Sequence, residues 1–296
     1  MPLSTPQLAA EAAPAHAFAA FSFVDRIDEF EPSRRARGRF LVPAALAAFP
    51  SCLVAEAVGQ LAAWVAMDAV DFRGRPVAAL AGETRFVAPV APGSMLELAA
   101  DIESCDDDAV SYAGWAAVDG RRVIELHDCF GPLLPTAEFD APEALRDRLA
   151  LLRGEGAPPA RFRGIDALVA TPAGGERGQS RRATLAVPAS APFFADHFPR
   201  RPVFPATLLL DAGITLALEL ASELPAWPAG TPLRLVSMTR VKVRSFTPPG
   251  QRLDLTVSLQ ESARDGASIA LAVSADEKSV ATARVEIRAG AEENRR

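Results

Sequence analysis

One imidazole and two carboxyls occupy settings in which side chains of their kind move protons. His197 lies in FFADHFPRRPVFPATLLLDAG (Phe193 to Gly213), among Pro199, Pro202 and Pro205, and fourteen residues later Asp211 interrupts a run that is apolar nearly all round. Glu56 interrupts a second such run, PSCLVAEAVGQLAAWVAMDAV, starting at Pro50. A helix without a polar face is enclosed by other structure. An acid on it is desolvated, and desolvation favours the protonated carboxyl. A histidine near neutrality as general base and a carboxyl held protonated as general acid are complementary halves of a proton-transfer reaction.

The elements that must carry these groups follow from the punctuation of the chain. Prolines resist helix except in its first turn, so helices are expected from Pro50 and from Pro205 onward. Superposing Pro50 on Pro205 places Leu53 on Leu208, Glu56 on Asp211 and Ala57 on Ala212, an offset of 155. Farther on, APGSMLEL (Ala91 to Leu98) matches PPGQRLDL (Pro248 to Leu255), and Asp119 matches Asp276, at an offset of 157. Two copies of one unit are therefore expected. Each would be two strands, a buried helix and an antiparallel meander, an α+β architecture.

In the first copy the opening strands are Phe21 to Pro32 and Arg34 to Pro43, and the meander is TRFVAPV, MLELAADIE, VSYAGWAAV and RRVIELHDC. In the second the meander is TRVKVRSF, RLDLTVSLQ, ASIALAVS and SVATARVEIR. Asp119-Gly120 and Asp265-Gly266 are expected to be tight hairpin turns. The domain division expected is 1–153, ending in a linker helix near 141–153, and 160–290. The boundary falls near Gly154 to Pro159, the start is loose, and 291–296 is a frayed tail.

The 296 residues are 49% hydrophobic and 23% charged, as in a soluble globular protein, with a net charge of -6 that argues against a nucleic-acid binder. The N-terminus does not look like a signal peptide, and Asp211 and the prolines argue against a membrane span near 203–218. Three scattered cysteines, Cys52, Cys105 and Cys129, give no disulfide framework or metal spacing, so a reduced cytoplasm is the expected home and no metal is expected.

The segment around His197 resembles the β-hydroxyacyl-thioester dehydratases of bacterial fatty acid synthesis, whose motif is HFPxxPxxPG followed by a helix carrying Asp or Glu. His197, Phe198, Pro199, Pro202, Val203 and Pro205 fall on it in register, with Ala206 in place of the final glycine. The resemblance implies the hotdog fold. Two units in one chain imply a double hotdog, a pseudo-dimer within one polypeptide. It implies no cofactor, and a substrate carried by an acyl carrier protein or coenzyme A.

In dimeric relatives each site takes its histidine from one unit and its acid from the other. Sixteen residues separate Pro188 from Pro205, but only six separate Pro43 from Pro50, so the first copy lacks the histidine loop. Its position matching His197 is Val42. One working site, His197 with Glu56, is therefore expected, with Asp211 vestigial. The resemblance implies that His197 takes the proton beside the carbonyl and Glu56 protonates the departing hydroxyl. The amide of Ala206, or second Thr207, would polarise the thioester carbonyl. Gln60, one turn after Glu56, would orient the carboxyl or touch the hydroxyl, and Phe198 would contact substrate. Arg200 and Arg201, beside the mouth, are candidates for a carrier protein or coenzyme A phosphates. The alternatives are an inactive acyl-chain or carrier-binding scaffold, an enoyl-thioester isomerase, and a hotdog thioesterase. A homo-oligomer is left open.

Overall fold

The computed structural model describes residues 18–228 and 230–290. Thirteen strands and three α-helices follow one another as β1 (Arg26–Glu31), β2 (Arg35–Leu41), α1 (Ser51–Ala69), β3 (Gly74–Pro76), β4 (Leu80–Phe86), β5 (Met95–Cys105), β6 (Ala109–Val118), β7 (Arg121–Pro135), α2 (Pro142–Arg153), β8 (Ala170–Glu176), β9 (Ser180–Ala186), α3 (Ala206–Ala221), β10 (Leu233–Val243), β11 (Arg252–Ser262), β12 (Gly266–Ala275) and β13 (Lys278–Ala289). All pairings are antiparallel and form one continuous sheet, with β3 attached off its path to β7.

The strand order gives the same pattern twice. The front half runs β1-β2-β5-β6-β7-β4 and the back half β8-β9-β11-β12-β13-β10, and the halves join where β4 pairs β10, Met238 opposite Thr84. α1 packs against β2, β5, β6 and β7, and α3 against β9 to β13. A long antiparallel sheet curled over one apolar helix is the hotdog arrangement. Both helices start one residue after a proline, Pro50 and Pro205, whose fixed φ of -59° suits a helix entrance. α1 is long and apolar enough to cross a bilayer by composition, and its burial inside the sheet accounts for that composition.

Two local expectations are corrected. Residues 21–25 are not strand: β1 begins only at Arg26, and Phe21 and Phe23 are core residues, 2% and 0% exposed. Apolar alternation there arises from a chain that folds back over the helices, not from a pleat. Asp265-Gly266 is also not a tight two-residue turn with both residues at positive φ. That turn falls at Asp276-Glu277 (φ 48° and 63°), matching Asp119-Gly120 (φ 51° and 71°) in the front half. The residues 263–265 form a wider link between β11 and β12, closed by the Ala263 amide donating to the Gly266 carbonyl.

The two helices meet their sheets through complementary steps. Val58 of α1 packs on Gly114 of β6, where a Cβ would fall 2.5 Å from Val58 Cγ1. In the back half the glycine has changed sides: a Cβ on Gly213 would fall 2.1 Å from Leu271 Cδ1. The helix-to-sheet spacing is thus held by one large and one absent side chain in each copy. Gly213→Val is expected to cost about 1 to 3 kcal/mol through overpacking. Adding Leu271→Gly, which rebuilds the front-half pair, should make the double variant less destabilised than the sum of the two single changes in urea titrations. Simple additivity would show that this contact does not set the spacing.

Candidate active site

The histidine loop is closed by its own backbone. A single 3-10 turn, Pro192–Ala195, precedes it, and the His197 amide donates to Phe193 O at 2.9 Å. Val203 then closes the ring twice: its amide donates to His197 O at 2.9 Å, and its carbonyl faces His197 Nδ1 at 2.8 Å. Pro199 and Pro202 stiffen the residues between. A carbonyl can only accept, so Nδ1 carries the proton and Nε2 is left with a free lone pair. Phe198 stacks on the imidazole at 4.3 Å and Phe21 meets it edge-on at 5.6 Å.

Burial pulls the His197 pKa below the ordinary imidazole value. The Glu56 carboxylate and the Val203 carbonyl oppose that shift, and the guanidinium of Arg75 assists it. Arg75 is itself fixed by Asp140 at 2.9 Å and lies 4.8 Å above the Phe198 ring. A neutral imidazole with a free Nε2 is a competent base.

Glu56 is held from both helices. Gln60 Nε2 donates to its Oε1 at 3.0 Å, and the hydroxyl of Thr207, in the first turn of α3, donates to its Oε2 at 3.0 Å. Gln60 also donates to Phe21 O at 2.9 Å and accepts from the Phe23 amide at 2.8 Å. Both hydrogens and the oxygen of its amide are thereby engaged. At the equivalent place in the other half, Asp211 of α3 faces the thiol of Cys52 in the first turn of α1. Burial raises the Asp211 carboxyl and the thiol opposes it, while burial and Asp211 together hold the Cys52 thiol well above its usual value.

A cavity of about 430 Å³ opens on one of these two arrangements. His197, Glu56, Gln60, Phe198, Ala206 and Thr207 all line it, and Asp211 does not. Among the described residues, the amides of Ala206 and Thr207 at the start of α3 donate to no protein acceptor, and both residues line the cavity. Val42, the counterpart of His197, is fully buried, and Thr215, the counterpart of Gln60, bonds back to the Asp211 carbonyl at 3.0 Å.

Arg200 and Arg201 lie outside the cavity lining. Arg200 donates to Ala137 O at 3.1 Å, and Arg201 pairs with Glu138 at 2.9 Å and covers Phe246 at 5.0 Å. Arg244 is the exposed arginine on the lining, and among the described residues its guanidinium meets only the hydroxyls of Thr282 and Ser279, 3.1 and 3.4 Å away. It was overlooked because it sits in RVKVRSF, one of three basic residues in a stretch without a motif. Sequence reading also missed Asp196, Phe21, Arg75 and the Tyr112–Cys129 pair, which reach the site from five separate stretches of chain. Only the adjacency of Asp196 to His197 gave any signal. No cluster of metal-ligating side chains occurs among the described residues.

Comparisons with known proteins bear on the family and the fold. A family model described as ApeI-like, ApeI dehydratase, matches residues 175–284, which include the histidine loop and α3. The 3-hydroxyacyl-[acyl-carrier-protein] dehydratase FabZ of Roseiflexus castenholzii is 34% identical over 117 residues, 36% of this chain and 81% of that protein. This chain belongs to the FabZ dehydratase family. FabZ of Burkholderia cenocepacia is 37% identical over 71 residues, 23% of this chain, and the chain spans about half of that relative, 46% of its length. Across the whole fold the dehydratase family member resembles solved structures only in shape. A tesB protein from Mycobacterium avium subs paratuberculosis superposes with a TM-score of 0.59 at 13% identity, covering 90% of this chain and 96% of that one. A 12:0-ACP thioesterase from Umbellularia californica gives 0.53 at 9%, covering 86% and 94%.

Proposed function

We propose that the protein dehydrates 3-hydroxyacyl thioesters to trans-2-enoyl thioesters at one composite site. The observation that carries the reading is that His197 and Glu56, one from each half of the chain, line a single cavity while Asp211 lies outside it. The chain is read as a double hotdog, a pseudo-dimer of a front unit, 1–153, and a back unit, 160–290, with α2 in the linker.

In this mechanism the Nε2 lone pair of His197 removes a proton from the carbon beside the thioester carbonyl. The amides of Ala206 and Thr207 stabilise the oxyanion that forms on that carbonyl. The electrons close the carbon-carbon double bond as the C3–O bond breaks, and a proton from the Glu56 carboxyl accompanies the departing hydroxyl as water. Transfer of the proton from His197 to Glu56 resets the pair. The Thr207 hydroxyl and Gln60 hold Glu56 in register and need not touch substrate.

The acyl tail is assigned to the face of α1 formed by Ala55, Gly59 and Ala63, which line the cavity. At the same positions of α3 stand the bulkier Leu210, Ile214 and Leu218, of which Leu210 also borders this cavity. The hydroxyl of Tyr112 faces Gly59, 3.2 Å from where a Cβ would sit. A carrier's phosphate, on an acyl carrier protein or coenzyme A, is assigned to Arg244, which among the described residues pairs with no carboxylate.

His197→Ala and Glu56→Gln are each expected to lower turnover of a 3-hydroxyacyl thioester by about 10² to 10⁴-fold, whereas Asp211→Asn should change it by less than about threefold. Equal damage from Asp211→Asn would remove the composite site. Mass analysis should show loss of water. Release of free acid would favour hydrolysis, a moved double bond isomerisation, and binding without any turnover an inactive scaffold. Gly59→Leu should reduce turnover of long-tailed substrates about tenfold more than that of four-carbon ones. An equal effect on both would place the tail elsewhere.

A further inference from the structure

Asp196 immediately precedes His197, yet its carboxylate turns from the reacting groups onto the segment Phe18–Phe23. The amides of Phe18 and Phe21 (2.7 Å) and the hydroxyl of Ser22 (3.2 Å) all donate to it. The far end of the segment is held by Gln60, through Phe21 O and the Phe23 amide. Six residues are thus strapped across the cavity between the neighbour of the base and the orienter of the acid. Phe18, Phe21 and Ser22 line that cavity, and Phe21 is 2% exposed with its ring edge-on to His197.

We propose that Asp196 is a positioning residue that clamps this strap so that Phe21 covers the His197 imidazole and keeps water from it. The proposal rests on His197 being the base of the reaction described above. Its consequence concerns protonation. Burial is the largest influence on His197 and favours its neutral form. Should the strap open, the imidazole would rehydrate and its pKa would rise, leaving less free base at a given acidic pH.

The other charges bearing on these groups are few. Glu56 of α1 and Arg75 of β3 act on His197. Behind Asp196 lies Arg148 of α2, only 6% exposed, whose guanidinium lies 5.1 Å from the Phe18 ring and is drawn down to about 10 by burial and by Arg161. Asp25 stands on the other side of Arg148, pushed up to about 6 by burial against a bond from the Leu41 amide. These charges make the sign of the effect diagnostic. Deleting the Asp196 anion by itself lowers a nearby histidine's pKa, whereas opening the strap raises it, so an upward movement reports the strap and not the lost charge.

The test is an NMR titration of the imidazole signals of His16, His127 and His197 in the full chain, with His197 assigned by His197→Gln. In Asp196→Ala and in Phe21→Ala, His197 is expected to titrate about half a pH unit or more higher than in the unsubstituted protein. Asp196→Asn, which keeps an acceptor oxygen, should lie between. The acid limb of kcat/KM should move in the same direction. Unchanged or lower titration in folded Asp196→Ala overturns the proposal. Should that variant fail to fold, unchanged titration in Phe21→Ala overturns it. If the unsubstituted protein dehydrates nothing, the functional reading fails, yet the titration still decides the strap.

Discussion

The site depends on how the first turns of α1 and α3 meet. Each helix offers a small donor in its first turn, Cys52 or Thr207, to the acid that the other carries, Asp211 or Glu56. Both pairs lie at the same 155-residue offset, so one contact is made twice about the line where β4 pairs β10. An acid desolvated in an apolar helix is costly unless it is bonded, and these crossed contacts satisfy both acids together. They also fix the acid of one half beside the helix start of the other.

Symmetry ends at the residues before each helix. The back half inserts the histidine loop ahead of Pro205, and the front half has no room for it between Pro43 and Pro50. Around Glu56 the neighbours then become small or polar: Gly59 where α3 has Ile214, Gln60 where it has Thr215, and Tyr112 on the facing strand. Around half-buried Asp211 stand the bulkier Ile214 and the exposed Thr215, and the acid faces the Cys52 thiol. If the chain is the double hotdog proposed above, its halves are free to differ in this way, because a residue that opens one site need not open the other. In a dimer of identical chains every such change would be made twice.

Much of this was written in local sequence. Apolar runs after prolines marked both helices, and the matching spacing of Glu56 and Asp211 marked the repeat. The motif at His197 put the histidine on a loop, because proline chemistry is local. The strap was not legible. Phe21 and Phe23 alternate with polar neighbours as strand residues would, and only packing against Gln60 and Asp196, far along the chain, shows that they fold back. The surroundings of the arginines were not legible for the same reason: Arg200 and Arg201 form a doublet that catches the eye, and only the fold shows Arg201 beside Glu138 and two phenylalanine rings. Whether a charge is free depends on neighbours that spacing does not reveal.

The most direct measurement is a crystal structure of the protein with a non-cleavable 3-hydroxyacyl thioether analogue bound. The account predicts electron density with the carbon beside the carbonyl facing His197 Nε2, the hydroxyl at Glu56, and the tail along Ala55, Gly59 and Ala63. An analogue seated against Asp211 and Cys52, or bound without touching both His197 and Glu56, would contradict it.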